Sequence, residues 1–390
     1  MDKKAFTWIT ILRNIVTIYF DTFFAIYFFN LTNYEILPLA KYYVVVYISL
    51  LLGFWLLKNF IKKNNKVPFY RIGISLTALY LALIMLLKEK IIDYIYLVAI
   101  IKGLGKGFYY YPRNILNSVK INNQQRKKYD GMVNSINQVS SIIIPLLLGI
   151  LLTFYNYITI GKVVFILMII IFALSFLVKE EHLNNTSSHI GSFFKKIIKN
   201  KKICEVLLIQ FFKGFTITGG VITVVMTIYK ILYFESNLMI GSLNSILGLF
   251  TFLTCLMYAT KIKKTHLSPL IITTLVVLVI CLTVLGIYPN NYIFLVYLFV
   301  YATGVTLISL LSDTIIANKS NDLLIKFNKE EFHLILETTL GISRISGYLF
   351  LLIIGIIGNI NLLKYILFFS IIPFTLLVVY VIKNIDLLED

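Results

Sequence analysis

Charge is scarce in this chain. Only 14% of its 390 residues are Asp, Glu, Lys or Arg, and 59% are apolar, whereas a soluble globular domain carries about 25% charged residues. Acid is scarcer still, with 18 acidic against 36 basic side chains and a net charge of +18. So little polarity excludes an ordinary soluble fold, and a mean hydropathy of +0.87 points to lipid as the solvent. Cysteine is nearly missing. Cys204, Cys255 and Cys281 each sit in or beside an apolar run with no metal-ligand spacing, so they read as small core residues rather than a disulfide framework.

Catalytic and nucleotide signatures are missing too. Lys106 follows Gly105 but is itself followed by Gly107, so no phosphate-cradling loop with its Ser or Thr is present. No His-Glu-x-x-His, nucleophile elbow or Cys-x-x-Cys occurs. The histidines at 182, 189, 266 and 333 lie in loops or at the edges of apolar runs. These absences argue against an ATP-driven pump, an enzyme, a metal site, a histidine relay or a bound cofactor. A basic chain could bind nucleic acid, but here the basic residues form short clusters between apolar runs rather than one continuous face.

What is present is a train of apolar segments near the ~20 residues that cross a bilayer. Twelve spans are expected, at 7–29, 37–57, 67–87, 91–117, 131–154, 157–178, 204–232, 238–260, 267–288, 291–317, 331–357 and 361–382. The first is a retained span rather than a signal peptide, because it is long, lacks a small-residue cleavage site and contains Arg13 and Asp21. Alternate loops differ in charge: one set carries 21 Lys and Arg, the other only Lys41, Lys88, Lys90, Lys162, Lys230 and Lys364. Basic loops face the cytoplasm, which places both termini there and requires an even number of spans. The abundance of Ile, Lys, Asn, Phe and Tyr is that of an AT-rich coding sequence, and suggests a bacterial cytoplasmic membrane.

The longest loop, 179–203, divides the chain into a first six-helix bundle at 1–178 and a second at 204–390. A faint repeat relates them. Arg126-Lys-Lys-Tyr129 leads to Asn134 and Gly149, as Lys329-Glu-Glu-Phe332 leads to Glu337 and Gly355. Duplicated halves are a transporter signature.

A charge at the bilayer centre costs at least ~2.5–3.5 kcal/mol, so intramembrane charges should face a cavity or a partner. Here they mark particular spans. Span 1 has Arg13 and Asp21; span 4 has Lys102, Lys106 and Arg113, with Tyr109; span 7 has Gln210 and Lys213; span 10 has Asp313. Span 5 adds Asn137 and span 11 adds Glu337 and Arg344. Helical spacing puts Arg13, Thr17 and Asp21 on one face, Lys102, Lys106, Tyr109 and Arg113 on another, and Glu337, Gly341, Arg344 and Tyr348 on a third. Each such span should have one wet stripe. Arg13 is shallow enough to snorkel instead, and Gly103 and Gly107 form a small-xxx-small pair suited to helix packing.

Over its full length this pattern resembles the major facilitator superfamily, in which helices 1, 4, 7 and 10 line a central cavity. The stretch Gly103-Leu-Gly105-Lys-Gly107-Phe-Tyr-Tyr-Tyr-Pro112 is similar to the family's glycine-rich helix 4, although position 99 is alanine where an arginine often stands. The loop between spans 2 and 3, Gly53 to Lys63, keeps the family's glycine and basic charge without its aspartate. Ser141-Ile-Ile-Ile-Pro145-Leu-Leu-Leu-Gly149 partly matches the antiporter helix-5 motif.

The expectation is an all-α integral membrane protein of twelve helices in two pseudo-symmetric halves. It would be a monomer that moves a small solute by alternating access, with membrane lipid as its other partner. Basic groups outnumber acids in the expected cavity, so the cargo is expected to be anionic or to carry an anionic headgroup. Lys102, Lys106, Lys213, Arg344, Arg13, Tyr109, Asn137 and Gln210 would bind it, Asp21 and Glu337 would couple protons, and Arg113 and Asp313 would gate the path. The alternatives are a proton-driven multidrug or toxin exporter, in which Asp21 dominates, and a non-transporting scramblase, immunity factor or sensor on the same fold.

Overall fold

The computed structural model describes residues 2–60, 66–120, 123–180, 200–260, 264–288, 290–324 and 329–385. Most of the expected linker, 181–199, and the basic clusters at 62–63, 261–263 and 326 lie outside them. Every regular element among the described residues is helical. Fourteen α-helices follow in chain order: α1 (Asp2–Ile18), α2 (Ala25–Leu31), α3 (Ile36–Phe60), α4 (Lys66–Leu87), α5 (Ile95–Lys120), α6 (Asn123–Phe154), α7 (Tyr157–Ser175), α8 (Lys201–Thr216), α9 (Val221–Phe234), α10 (Asn237–Thr260), α11 (Lys264–Ile287), α12 (Asn291–Leu324), α13 (Lys329–Ile357) and α14 (Leu363–Lys383).

Among the described residues, eleven stretches are long and apolar enough to cross a membrane, with α1 and α2 joined in one and α8 and α9 in another. The remaining expected span is α5, whose 26 residues include Lys102, Lys106, Arg113 and three consecutive tyrosines. The protein is therefore a multi-pass membrane protein. Backbone polar groups in lipid must be satisfied within the segment, and a helix does this with its own ladder. Side chains finish some ends. Asn156 accepts from the Thr159 amide at 2.8 Å at the start of α7, and Glu180 accepts from the Lys66 and Val67 amides at 3.0 and 2.8 Å at the start of α4, where the helix dipole favours an anion.

Two compact units emerge, Met1–Asn185 with Lys230–Ile246, and Thr186–Tyr229 with Leu247–Asp390. Within the first, α1 packs on α6 and α7, and α4 on α5 and α7. Within the second, α8 packs on α13 and α14, and α11 on α12 and α14. Counting α1 with α2 and α8 with α9 as single spans, these pairings coincide when shifted by six. The faint sequence repeat thus has a packing counterpart inside each unit.

Glycine sets how closely α5 is held in the first unit. A Cβ on Gly103 would come within 2.3 Å of the Val46 carbonyl oxygen of α3, and one on Gly73 of α4 within 2.4 Å of the Tyr109 amide of α5. Bare backbone on both sides lets α5 press against α3 and α4. Such close packing is a principal source of helix association in membranes.

Candidate functional site

Span 1 does not run as one α-helix. Between α1 and α2 lies a π-helical turn, Tyr19–Phe24. A π turn rotates everything beyond it relative to α spacing, and such turns recur at functional sites. The expected stripe Arg13–Thr17–Asp21 is accordingly split: Arg13 is 5% exposed, while Asp21 stands exposed. No hydrogen bond or ion pair joins Asp21 to another described residue. A bare carboxylate turned to hydrocarbon is costly.

Arg13 points into the first unit. Its Nη2 donates to Thr77 Oγ1 at 3.0 Å and its Nη1 lies 3.6 Å from the Met168 sulfur. The guanidinium sits 5.0 Å from the centre of the Tyr109 ring, which is stacked on Tyr70 at 5.2 Å. Lys102 is enclosed more completely. Its ammonium lies 5.3 Å from the ring centres of Phe20, Phe24, Tyr42 and Tyr80 and 6.0 Å from that of Tyr43. Tyr42 and Tyr80 close the box through a 2.6 Å hydroxyl–hydroxyl hydrogen bond. Ring faces are negative, so a cation can be held there without water or an anion. Neither Arg13 nor Lys102 has a carboxylate at ion-pair distance among the described residues. The upper part of the expected wet stripe of span 4 is therefore filled with protein, while Lys106 and Arg113 are half-buried. Phe20 and Phe24 belong to the π turn, so Lys102 grips the turn that displays Asp21.

Span 7 is also interrupted. The apolar run expected to continue from 204 to 232 breaks between α8 and α9 at Ile217–Gly220, where Gly219 adopts φ +66°. The break releases carbonyls, and neighbouring helices of the second unit collect them. Tyr301 of α12 donates to Thr216 O at 2.5 Å, Arg344 Nε of α13 to Thr218 O at 2.6 Å, and the Tyr348 hydroxyl to Gly219 O at 3.2 Å. Non-helical backbone at membrane depth is tolerated where protein or a water-lined cavity satisfies it. The Glu337–Tyr348 stripe thus meets the break through its far end, with Glu337 itself half-buried.

One turn before the break, Lys213 is buried and pairs with Asp313 of α12, whose side chain remains 62% exposed. A residue expected to bind cargo and one expected to gate are here a single ion pair. Gln210 is half-buried, as is Asn137, whose Oδ1 lacks a hydrogen-bond partner among the described residues. The sequence did not single out Tyr301, Tyr42, Tyr80 or the break itself. The dipeptide Gly219-Gly220 was the available signal for the break; the tyrosines had none.

Spans 1 and 7 stand at equivalent places in the two halves, and each departs from α geometry part-way along its length. A family model of the Major Facilitator Superfamily matches residues 5–322. The chain belongs to the Major Facilitator Superfamily. Solved structures agree on the fold. A bacterial homologue of the iron transporter ferroportin in an inward-facing state superposes with a TM-score of 0.69 at 13% identity, covering 98% of each chain. The nucleoside transporter NupG gives 0.66 at 11% identity, covering 100% of this chain and 99% of that one. The D-xylose-proton symporter gives 0.63 at 12%, covering 98% of each. The uncharacterized protein YqgE of Bacillus subtilis (strain 168) is 21% identical over 248 residues, 63% of this chain and 57% of that protein. Membership in the superfamily means a membrane transporter fold with a small-molecule solute; likenesses this distant carry the fold and no cargo.

Proposed function

We propose that this chain is a secondary active transporter of the bacterial cytoplasmic membrane, a monomer with both termini in the cytoplasm, and that Asp21 is the group its solute or coupling proton meets. The observation that supports this is the division of charge in the first unit. Asp21 stands exposed on the π turn while Arg13 and Lys102 are withdrawn among rings. A carboxylate on a path of changing wetness exchanges protons as its solvation and neighbours change. Glu337, half-buried on α13, is the second coupling candidate.

The solute class follows from the same geometry. The expectation of an anionic cargo counted Arg13, Lys102, Lys106, Lys213 and Arg344. Rings hold the first two and Asp313 holds Lys213, so three of the five basic groups behind that expectation are engaged within the protein. That withdrawal of basic charge, with Asp21 exposed on the π turn, favours proton exchange with a cationic or zwitterionic solute. An anionic-headgroup solute is the second reading, supported by the half-buried Lys106 and Arg344. Proteins of similar fold include a bacterial metal transporter, a nucleoside transporter and a sugar–proton symporter, so fold alone does not choose.

The test is a thermal-shift screen of the purified protein with cationic, zwitterionic, anionic and neutral metabolites, since a ligand of the folded state raises its melting temperature. Hits then go to proteoliposomes with an imposed pH gradient. Stabilisation by a cationic or zwitterionic compound, with gradient-driven flux lost in Asp21→Asn, is the expected result. Stabilisation by anions, lost in Lys106→Ala/Arg344→Ala and kept in Asp21→Asn, would overturn the first reading for the second.

A further inference from the structure

Only six lysines fall on the sparsely charged side of the sequence, and two of them, Lys88 and Lys162, line one cavity. It lies wholly within the first unit, between the end of α4 and the start of α7, with a volume of about 600 Å³. Its wall is largely apolar, built from Met85, Leu86, Ile158 and Phe165. Its rim is cationic. The amides at the start of α7 do not account for that rim, because Asn156 already caps the Thr159 amide. What the rim offers is two ammonium groups, and neither lysine has a hydrogen bond or ion pair with another described residue.

The surroundings say what kind of molecule fits. Leu79 and Leu86 of α4 and Val163, Ile166 and Ile169 of α7 are 47–77% exposed, which is the surface of a helix pair facing acyl chains. Lys162 stands five residues into α7, about 7.5 Å along the axis, and lines the cavity with a stem long enough to lie along apolar surface. Lys88 follows the last residue of α4, in the left-handed region at φ +49°. The site therefore joins a two-lysine rim to an apolar wall that continues into a lipid-facing surface. A free inorganic anion would use the rim and leave the wall idle.

We propose that this cavity binds the headgroup of an anionic phospholipid, with the acyl chains lying over Leu86, Val163 and Ile166. The lysines supply the charge, and the wall seats the glycerol and upper methylenes. The site is independent of the solute path and does not rest on any assignment of cargo.

The experiment uses the full-length protein in phosphatidylcholine nanodiscs, with added phosphatidylglycerol in one arm and inorganic phosphate in another. Phosphatidylglycerol should raise the melting temperature by about 2–4 °C and inorganic phosphate should not. Lys88→Gln/Lys162→Gln should lose that increment while melting normally in phosphatidylcholine, and Lys88→Arg/Lys162→Arg should keep it. Native mass spectrometry supplies a count that does not depend on stability: one retained phosphatidylglycerol should disappear in the glutamine variant. An unchanged lipid count or increment in that variant, the same increment from inorganic phosphate, or no retained phosphatidylglycerol in the unaltered protein would each overturn the proposal.

Discussion

Lys102 and Asp21 show what one side chain's surroundings decide. Both are ionisable and both sit in mid-span, yet the base is sealed by five rings and the acid is open. Burying an unpaired charge is costly, and an uncharged side chain of similar volume is often tolerated or stabilising there. Lys102→Met is therefore expected to melt within a few degrees of the unaltered protein, whereas Lys102→Ala, which leaves the box hollow, should lose about 2–4 kcal/mol. Differential scanning fluorimetry in one detergent measures both. Asp21→Asn breaks no hydrogen bond or ion pair among the described residues, so its stability should change by less than about 0.5 kcal/mol, while gradient-driven flux should fall at least about tenfold if the carboxylate couples transport. The sequence was a sound guide to which residues carry charge inside the membrane. It did not reveal their directions, because the rings around Lys102 come from three other spans and the wheel through Asp21 assumed an unbroken α-helix.

At the level of helices, the two interruptions have different legibility. Nothing in Tyr19-Phe-Asp-Thr-Phe-Phe24 marks a π turn, since the segment is as aromatic as its neighbours. The break in span 7 had Gly219-Gly220 as a clue, overridden by apolarity continuing on either side. Each glycine there is constrained. Gly219→Ala must adopt φ +66° and should cost about 1 kcal/mol or more. Gly220→Ala places a Cβ 2.2 Å from the Phe215 carbonyl oxygen and should cost more. Melting curves for the pair should rank in that order, and equal tolerance of both would count against the break as described. Packing glycines were read correctly: Gly103 and Gly107 do face α3, as the small-xxx-small spacing indicated.

For the molecule as a whole, eleven spans were legible as long apolar runs and the twelfth, α5, by its length and its place between them, and the relation between halves was legible only faintly. The repeat at the starts of spans 5 and 11 aligns a few residues, whereas four helix pairings, of spans 1 with 5 and 6 and of span 3 with 4 and 6, recur six spans on. Tertiary packing preserves what sequence has lost. The ion pair of Lys213 with Asp313 joins α8 to α12 in one unit, and reversing it tests whether charge or position matters. Lys213→Asp alone should lower the melting temperature sharply by leaving two acids together; adding Asp313→Lys should recover most of the loss, read as coupling in a double-mutant cycle.

The helix α5 has a consequence for how the chain is made. Among the described residues it is the long helix not apolar enough to cross a membrane by itself, and each mid-helix lysine adds about 2.5–3.5 kcal/mol to the cost of entering lipid alone. The charge of Lys102 is met by rings carried on spans 1, 2 and 3. At the translocon, then, α5 must wait for company. Fused alone to a glycosylation reporter it should stay largely uninserted, and the same helix behind residues 2–94 should insert, with Phe20, Tyr42 and Tyr80 acting as receptors for a newborn lysine. The order of synthesis, three apolar spans and then the charged one, is the order that this requires.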